Sequence, residues 1–210
     1  PIIRYINAML YEKGNPELKL MNSHNAYLAL ILHRKFSIEA SYTYKRDLPM
    51  YIFQTNPQVE GSLVNSPVNI NASYYLLATS YSDKWGIYRF SYNGAIMYDV
   101  TKLPYLGKKD SNLHPRFTLS TVNQFDVCKQ TMLFCNFNVS SKYQSLGTQM
   151  KPTYDLTLGI LKTFFKDNRL QVIISANDIL HKALPNSTTN INHVRSQKIL
   201  DPDSRNITVS

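Results

Sequence analysis

From Tyr154 to Asp178 apolar and polar residues alternate through two runs joined by a charged corner. Tyr154, Leu156, Leu158 and Ile160 fall on one parity, with Asp155, Thr157, Gly159 and Thr163 on the other. Beyond the corner Phe165-Lys166-Asp167-Asn168-Arg169, the residues Leu170, Val172, Ile174 and Ala176 form a second apolar row against Gln171, Ser175 and Asn177. A period of two separates such rows onto opposite faces of a strand, whereas a helix would scatter them. Leu161 and Ile173 interrupt the polar parity. The pattern predicts a β-hairpin, and the rest of the chain repeats it.

Residues 1 to 20 show no sustained period, and Glu12-Lys13-Gly14-Asn15-Pro16 is turn chemistry, so this segment reads as a long loop. From Ala26 the chain alternates through Leu28, Leu30 and Leu32, turns at His33-Arg34-Lys35, and returns through Phe36, Ile38, Ala40, Tyr42 and Tyr44 against Ser37, Glu39, Ser41, Thr43 and Lys45. The segment from Arg46 to Pro67, broken by Pro49, Pro57 and Gly61, reads as a long loop with short extended pieces. A strand then carries Ile70, Ala72, Tyr74, Leu76 and Ala78 on its apolar side and ends in a corner at Ser82-Asp83-Lys84. The next presents Tyr88, Phe90, Tyr92, Ile96 and Tyr98, with Gly94 marking a bulge or kink. After a loop with Pro104, Gly107 and Pro115, a strand from Phe117 to Val127 mixes Thr121 and Asn123 into its apolar parity, and its partner carries Leu133, Cys135, Phe137 and Val139. An Asn- and Thr-rich stretch from Leu180 to Ser204 follows the opening hairpin, and a final strand runs to Ser210.

Corners near 34, 83, 129 and 167 are short, whereas the connections between hairpins are long and polar. Short and long ends therefore lie on opposite sides of one antiparallel sheet. The strands approach ten residues, the length that crosses a bilayer at a tilt, whereas strands of soluble domains are nearer five or six. Fifteen Tyr and nine Phe in 210 residues suit a sheet with aromatic strand ends. The mean hydropathy of −0.28 and the lack of any 18-residue apolar run exclude a transmembrane helix and leave a barrel open. The fold class expected is all-β: an antiparallel up-and-down transmembrane β-barrel to which this chain contributes about nine strands. A soluble β-sandwich used for adhesion or carbohydrate binding shares the alternation but buries the apolar row beneath a second sheet. A smaller complete porin is the third architecture.

The net charge of +9 is dispersed over corners and loops, including Arg34, Lys35, Lys84, Lys129 and Arg169, without a nucleic-acid-binding motif. No nucleic-acid partner is expected; a solvated rim, or one facing anionic headgroups, is. Cys128 and Cys135 lie where a ladder would not set them opposite each other, so they read as small apolar side chains rather than a disulfide. Glu39 and Asp155 stand singly on polar faces with no recognisable catalytic partner. His181 and His193 share the last long loop, but two His without a third ligand do not specify a metal site. Arg89 either lines a route for anionic solutes or forms a salt bridge on the lumen side. No catalytic, cofactor-binding or metal residue is assigned, no cofactor is expected, and the chain does not read as an enzyme. Four Asn-x-Ser/Thr acceptors at Asn71, Asn138, Asn186 and Asn206 read as incidental, because most fall within strands.

Several short elements, in order along the whole chain, resemble TonB-dependent outer-membrane receptors of the Bacteroidetes type. The run from Leu161 to Leu170 leading into Ser175-Ala176-Asn177-Asp178-Ile179-Leu180 is similar to their penultimate hairpin, where an Asn-Asp-Ile-Phe motif is common; Leu180 replaces the Phe. Gly14-Asn15-Pro16-Glu17-Leu18-Lys19 resembles a Gly-Asn-Pro-x-Leu-Lys element that precedes a strand. Asp83-Lys84-Trp85 resembles a recurrent corner, and Asp203-Ser204-Arg205 the entry to the last strand. The resemblance implies that residues 1–210 are the C-terminal part of a barrel of about 22 strands in the bacterial cell outer membrane. It further implies an N-terminal plug domain, the remaining barrel strands, outer-membrane lipid, the barrel-assembly machinery and TonB as partners, and import of a scarce solute of the siderophore, glycan or peptide class. On that expectation the chain itself, which starts at Pro1 and ends at Ser210 without a terminal aromatic residue, lacks the plug and the TonB box.

Overall fold

The computed structural model describes residues 3–7, 10–56, 59, 62–102, 109–111, 115–145, 148–165, 169–191, 194–200 and 202–210. In chain order its strands are β1 (Ile3–Asn7), β2 (Leu10–Lys13), β3 (Asn22–Leu32), β4 (Phe36–Thr55), β5 (Leu63–Trp85), β6 (Tyr88–Lys102), β7 (Lys109–Ser111) and β8 (Arg116–Cys128). They continue with β9 (Thr131–Ser140), β10 (Tyr143–Ser145), β11 (Thr148–Met150), β12 (Thr153–Phe164), β13 (Leu170–Asn177), β14 (Ser187–Ile191), β15 (Val194–Lys198) and β16 (Asn206–Val209). The order β3-β4-β5-β6-β8-β9-β12-β13-β16 is antiparallel throughout and forms one sheet that does not close on itself. Among the described residues β4 is the only partner of β3, and β13 the only partner of β16.

The hairpin predicted from Tyr154 to Asp178 is present: Leu158 pairs with Ala176 and Ile160 with Ile174 across β12 and β13. The two residues that broke its polar parity, Leu161 and Ile173, face each other in register and meet Met132 on β9. Short connections at 33–35, 86–87 and 129–130 lie at one end of the sheet, as the sequence implied. Most of the corner at 165–169, namely Lys166, Asp167 and Asn168, lies outside the described residues, as do Pro57, Gly61, Pro104, Gly107 and Lys108. At the other end, the two connections between β9 and β12 and between β13 and β16 build a second sheet, β10-β11-β14-β15.

The structure corrects the sequence reading in four places. Residues 1–20 are not one loop: β1 and β2 pair antiparallel, and β2 then adds parallel to the start of β5 through Leu10 and Leu63. The segment from 46 to 67 is largely strand, because β4 continues to Thr55 and β5 begins at Leu63. The corner placed at Ser82-Asp83-Lys84 lies further on, at Gly86-Ile87, where Gly86 takes the positive φ of +59° that a two-residue hairpin turn requires. Finally, the apolar row Ile70, Ala72, Tyr74, Leu76 and Ala78 points to the opposite side from the other apolar rows, since β5 pairs Tyr75 with Tyr42 and Leu77 with Ala40. Both parities of β5 are apolar, so only pairing decides its facing.

Little of the molecule is buried. Ile52, Val64, Ile70, Ala72 and Phe90 make up the buried hydrophobic side chains among the described residues. The packed cluster among the described residues, Ile52 and Ile70 with Leu48, Met50 and Val68, sits in the far halves of β4 and β5.

Candidate functional site

Directly opposed residues of an antiparallel pair point to the same face, so the register sorts the sheet into two walls. One row runs unbroken through Leu30, Ile38, Thr79, Gly94, Leu119, Val139 and Tyr154. A neighbouring row runs through Leu28, Ala40, Leu77, Ile96 and Phe117, and a third through Phe125, Leu133, Ile160, Ile174 and Val209. Many of these side chains are open: Leu28 is 71% exposed, Leu133 43% and Ile174 45%. No second layer of protein lies over them among the described residues, which is where a sandwich would have placed one.

Aromatic side chains frame this apolar face at both ends. Towards the short turns Trp85 meets Phe90 edge-on at 4.7 Å, and Tyr88 stacks on Phe125 at 4.7 Å. Towards the long connections Tyr42 lies 5.0 Å from Tyr75, which lies 6.1 Å from Tyr98. Tyr75 and Trp85 are about ten residues apart, or roughly 33 Å along the strand. Tilted by about 40°, that length covers roughly 25 Å, the height of the apolar band of outer-membrane barrels. Thr121 and Asn123, which clouded the facing of β8, both lie on this apolar side. Asn123 is fully partnered there: its amide donates to the Cys135 carbonyl and Thr121 Oγ1, and its oxygen accepts from the Tyr88 and Tyr92 hydroxyls. A polar group so satisfied tolerates an apolar setting.

At the short-turn end, Asp83 closes the band. Its carboxylate accepts from Lys35 Nζ at 2.8 Å, the Lys84 amide, the Tyr81 hydroxyl and the Trp85 indole.

The opposite face is polar. Ser37, Ser80, Asn93, Ser120, Asn138 and Asp155 form one continuous row across it. Ser37 and Ser80 hydroxyls are 2.7 Å apart, and the Ser120 hydroxyl donates to Asn138 at 2.6 Å. Glu39 and Asp155 both lie on this face but on β4 and β12, five strand spacings or roughly 24 Å apart, so the sheet does not bring them together. Arg89 pairs with Asp126 at 2.7 Å, with Lys84 on the same carboxylate at 3.9 Å, so the salt-bridge alternative holds for Arg89. Gly159 sits under the Phe134 ring, and an added Cβ would strike the ring's Cζ. Cys128 and Cys135 are free thiols, as expected, and no cluster of three metal-ligating side chains exists among the described residues. His193 lies outside the described residues, and His181 sets Nδ1 3.5 Å from Asp203.

At the long-connection end the wall changes character at a bulge. Lys45 pairs with Ala72 but Leu48 with Ile70, so β4 carries one extra residue and its facing inverts. Asp47 takes a φ of +56° there, donates its amide to Asn71 Oδ1 and accepts from Asn69 Nδ2 at 2.6 Å. Beyond the bulge Leu48, Met50 and Ile52 share the side of the polar face and pack with Val68 and Ile70. The other side there carries Pro49, Tyr51, Pro67 and Asn69. The segment Gly14-Asn15-Pro16-Glu17-Leu18-Lys19 docks on it: Asn15 donates to the Pro67 carbonyl, and Lys19 exchanges two hydrogen bonds with the Asn69 side chain.

Sequence reasoning missed Asp178, only 4% exposed. Its carboxylate accepts from the Lys182 and Ala183 amides and from the Ser204 hydroxyl. Burial pushes this carboxyl up, but those hydrogen bonds and His181 outweigh it and leave it below the ordinary value. Asp178 thus joins the Asn-Asp-Ile stretch to Asp203-Ser204-Arg205, two elements singled out separately in the sequence. Asp203 itself is held at about 2, chiefly by the Arg205 guanidinium at 2.8 Å.

A one-sheet wall with an exposed apolar band, aromatic borders and a polar reverse face defines a membrane β-wall rather than a soluble domain. The sequence agrees: residues 1–210 match the model of the outer membrane protein beta-barrel family, and the chain belongs to that family. It is therefore a protein of the bacterial outer membrane, in a family whose character points to a membrane transport or porin-like role. No curated protein and no solved structure matches the chain.

Proposed function

We propose that the chain is the C-terminal part of a TonB-dependent receptor that binds and imports a scarce solute of the siderophore, glycan or peptide class. The observation that carries this reading is the pair of free sheet edges. All of β3 is exposed, and a strand of eleven residues, apolar from Ala26 to Leu32, with open backbone groups is a template for another strand. A sheet of this height and two-sided chemistry becomes stable in a bilayer only when closed, so further strands of the same polypeptide cover β3 and β16. The polar row from Ser37 to Asp155 then faces the lumen and a plug domain, and the barrel-assembly machinery inserts the whole. In this reading the chain has no catalytic role of its own.

The test is solute uptake by cells carrying the full-length gene, with and without TonB. Accumulation that stops when TonB is depleted and when the gene is deleted is the expected result. Uptake that follows the solute gradient and continues without TonB would replace the receptor by a porin.

A further inference from the structure

Midway between the two aromatic borders, the polar face is hollowed into a trough of about 510 Å³. Two rows of side chains form it. One is the hydroxyl and amide row Ser37, Ser80, Asn93, Ser120 and Asn138; the other, nearer the long connections, is Glu39, Ala78, Ala95, Thr118 and Ser140. The trough therefore runs across the strands from β4 to β9 for roughly 19 Å, with its two rows roughly 7 Å apart along the strands. Its depth comes from Ala78 and Ala95, whose side chains stop at Cβ between longer neighbours. All the lining residues belong to strands paired on both edges, so the ladder sets the shape and no ligand is needed to form it.

That pairing also decides what can recognise a ligand there. Backbone groups are used up in the ladder, which leaves the side chains. Ser, Thr and Asn each offer donors and acceptors together. Ser37 and Ser80 share one hydrogen bond, and Ser120 donates to the Asn138 oxygen, which leaves lone pairs on the serines and the Asn138 amide hydrogens for a guest. A polyhydroxylated molecule matches such an array donor for acceptor, whereas an extended peptide seeks backbone partners. One polar side chain per strand, about 4.8 Å apart, is close to the repeat of a hexose unit in an extended chain.

Charge narrows the occupant further. Glu39 is the only charged side chain of the lining, and Asp155 continues the first row one strand beyond Asn138. Carboxylates at both ends and no cation between them disfavour an anionic chelate or a phosphate ester. Arg116, one row higher, is engaged by the Ser140 hydroxyl and by the Tyr143 ring, 4.6 Å from its centroid. Tyr27, 66% exposed, lies beside Glu39 on the same face through its pairing with Ser41. Its ring is a plate on which the C–H face of a pyranose can rest, and Ala78 and Ala95 give a second apolar seat.

We propose that this trough is a subsite for a neutral oligosaccharide passing through the lumen. The proposal rests on the receptor reading above, in which this face lines the lumen, and selects the glycan class from the three named there. Sugar hydroxyls meet the serine and asparagine row, a ring face lies on Ala78 and Ala95, and Glu39 accepts from hydroxyls at the Tyr27 end.

The full-length protein, purified in mild detergent, is titrated calorimetrically with neutral hexasaccharides of glucose, mannose and xylose, with a ferric trihydroxamate chelate and with a basic hexapeptide. The parent is compared with a trough-filling Ala95→Trp variant and with an Asn93→Leu, Asn138→Leu double variant. Binding of at least one hexasaccharide by the parent, weakened at least tenfold in both variants with the heat-resistant folded band retained, is expected. Absence of hexasaccharide binding overturns the proposal, as does unchanged affinity in either folded variant. Chelate or peptide binding that the variants abolish in place of saccharide binding overturns the assignment of class. Should Ala95→Trp fail to fold, the asparagine variant decides: full saccharide affinity there would mean that the trough is packing surface for a plug. Binding in detergent does not involve TonB, so failure of the receptor reading, seen as TonB-independent uptake, is distinguishable from failure of the trough.

Discussion

The near and far halves of the β4–β5 hairpin share two strands and one alternating pattern, yet they bury opposite faces. From Phe36 to Lys45 the apolar residues of β4 lie on the exposed wall; from Leu48 to Ile52 they point to the other side and pack on Val68 and Ile70. One extra residue at Arg46-Asp47 makes the difference. A period of two has no memory of which face is which, so a single insertion swaps them. The solvent gives the swap its meaning. Where hydrocarbon surrounds the barrel, apolar groups belong outside; where water does, they belong inside. The bulge thus marks the limit of the lipid-facing band at the long-connection end of this hairpin, and the Lys35–Asp83 pair marks it at the short-turn end.

Removing Asp47 breaks the comparison most severely. The deletion restores continuous pairing and turns Leu48, Met50 and Ile52 outward, dismantling a cluster whose large side chains are each worth about 2–5 kcal/mol. Loss of on the order of 5 kcal/mol or more is expected, read as loss of the heat-resistant folded band on electrophoresis. Ile70→Ala and Leu77→Ala then sharpen it. The first opens a cavity in the far half and costs about 2–5 kcal/mol, whereas the second trims a side chain on the exposed wall and leaves no cavity. Denaturant unfolding in lipid vesicles that finds the two equal would remove the distinction between the halves.

Arginine reverses the ranking of chemistry without touching packing. Leu158→Arg places a charge in the middle of the exposed band and costs roughly 2–4 kcal/mol in a bilayer. The same variant in a detergent that solvates the charge should lose much less, and equal losses in both media would argue against hydrocarbon contact. A milder effect is expected on the polar face. Gly159→Ala forces the Phe134 ring aside at a cost of about 1–3 kcal/mol, and Phe134→Leu should recover most of it in a double-mutant cycle.

The smallest effect is a pH dependence confined to the loop end. Asp178 and Asp203 both titrate below their ordinary value, Asp203 at about 2. A carboxyl whose folded value is depressed adds stability above its unfolded value of about 3.9, and that contribution fades as pH falls towards the folded value. Protection of the Lys182 and Ala183 amides against hydrogen exchange should therefore fall as pH drops below about 3.9, while Asp178→Asn should flatten the profile. Amides of the β12–β13 hairpin serve as the control and should not respond.

Much of this was legible from residues alone. The alternation through Phe36 to Lys45 and Tyr154 to Asn177 specified strands, and the contrast of short and long connections specified a sided antiparallel sheet, because both signals are local. The lipid-facing row from Leu156 to Ile174 was also readable, since only one parity of those strands is oily. The facing of β5 was not. Its parities are apolar on both sides, and only pairing with Tyr42 and Ala40 chose between them. The extent of the strands between Arg46 and Pro67, read only as short extended pieces in a loop, was not legible for a related reason: Pro49 and Pro67 signal a break, but both sit opposite partners in the ladder, beside a bulge no local pattern announces.

The trough and Asp178 lay furthest beyond the sequence. The amino acids by themselves determined a two-faced strand period, its turns and its family, because these depend on neighbours within a few positions. Tertiary structure decided where the faces invert, that Asp178 reaches Ser204, and that Glu39 and Asn138 line one trough. Those are meetings between distant segments, fixed by register and loop closure, and no spacing along the chain encodes them.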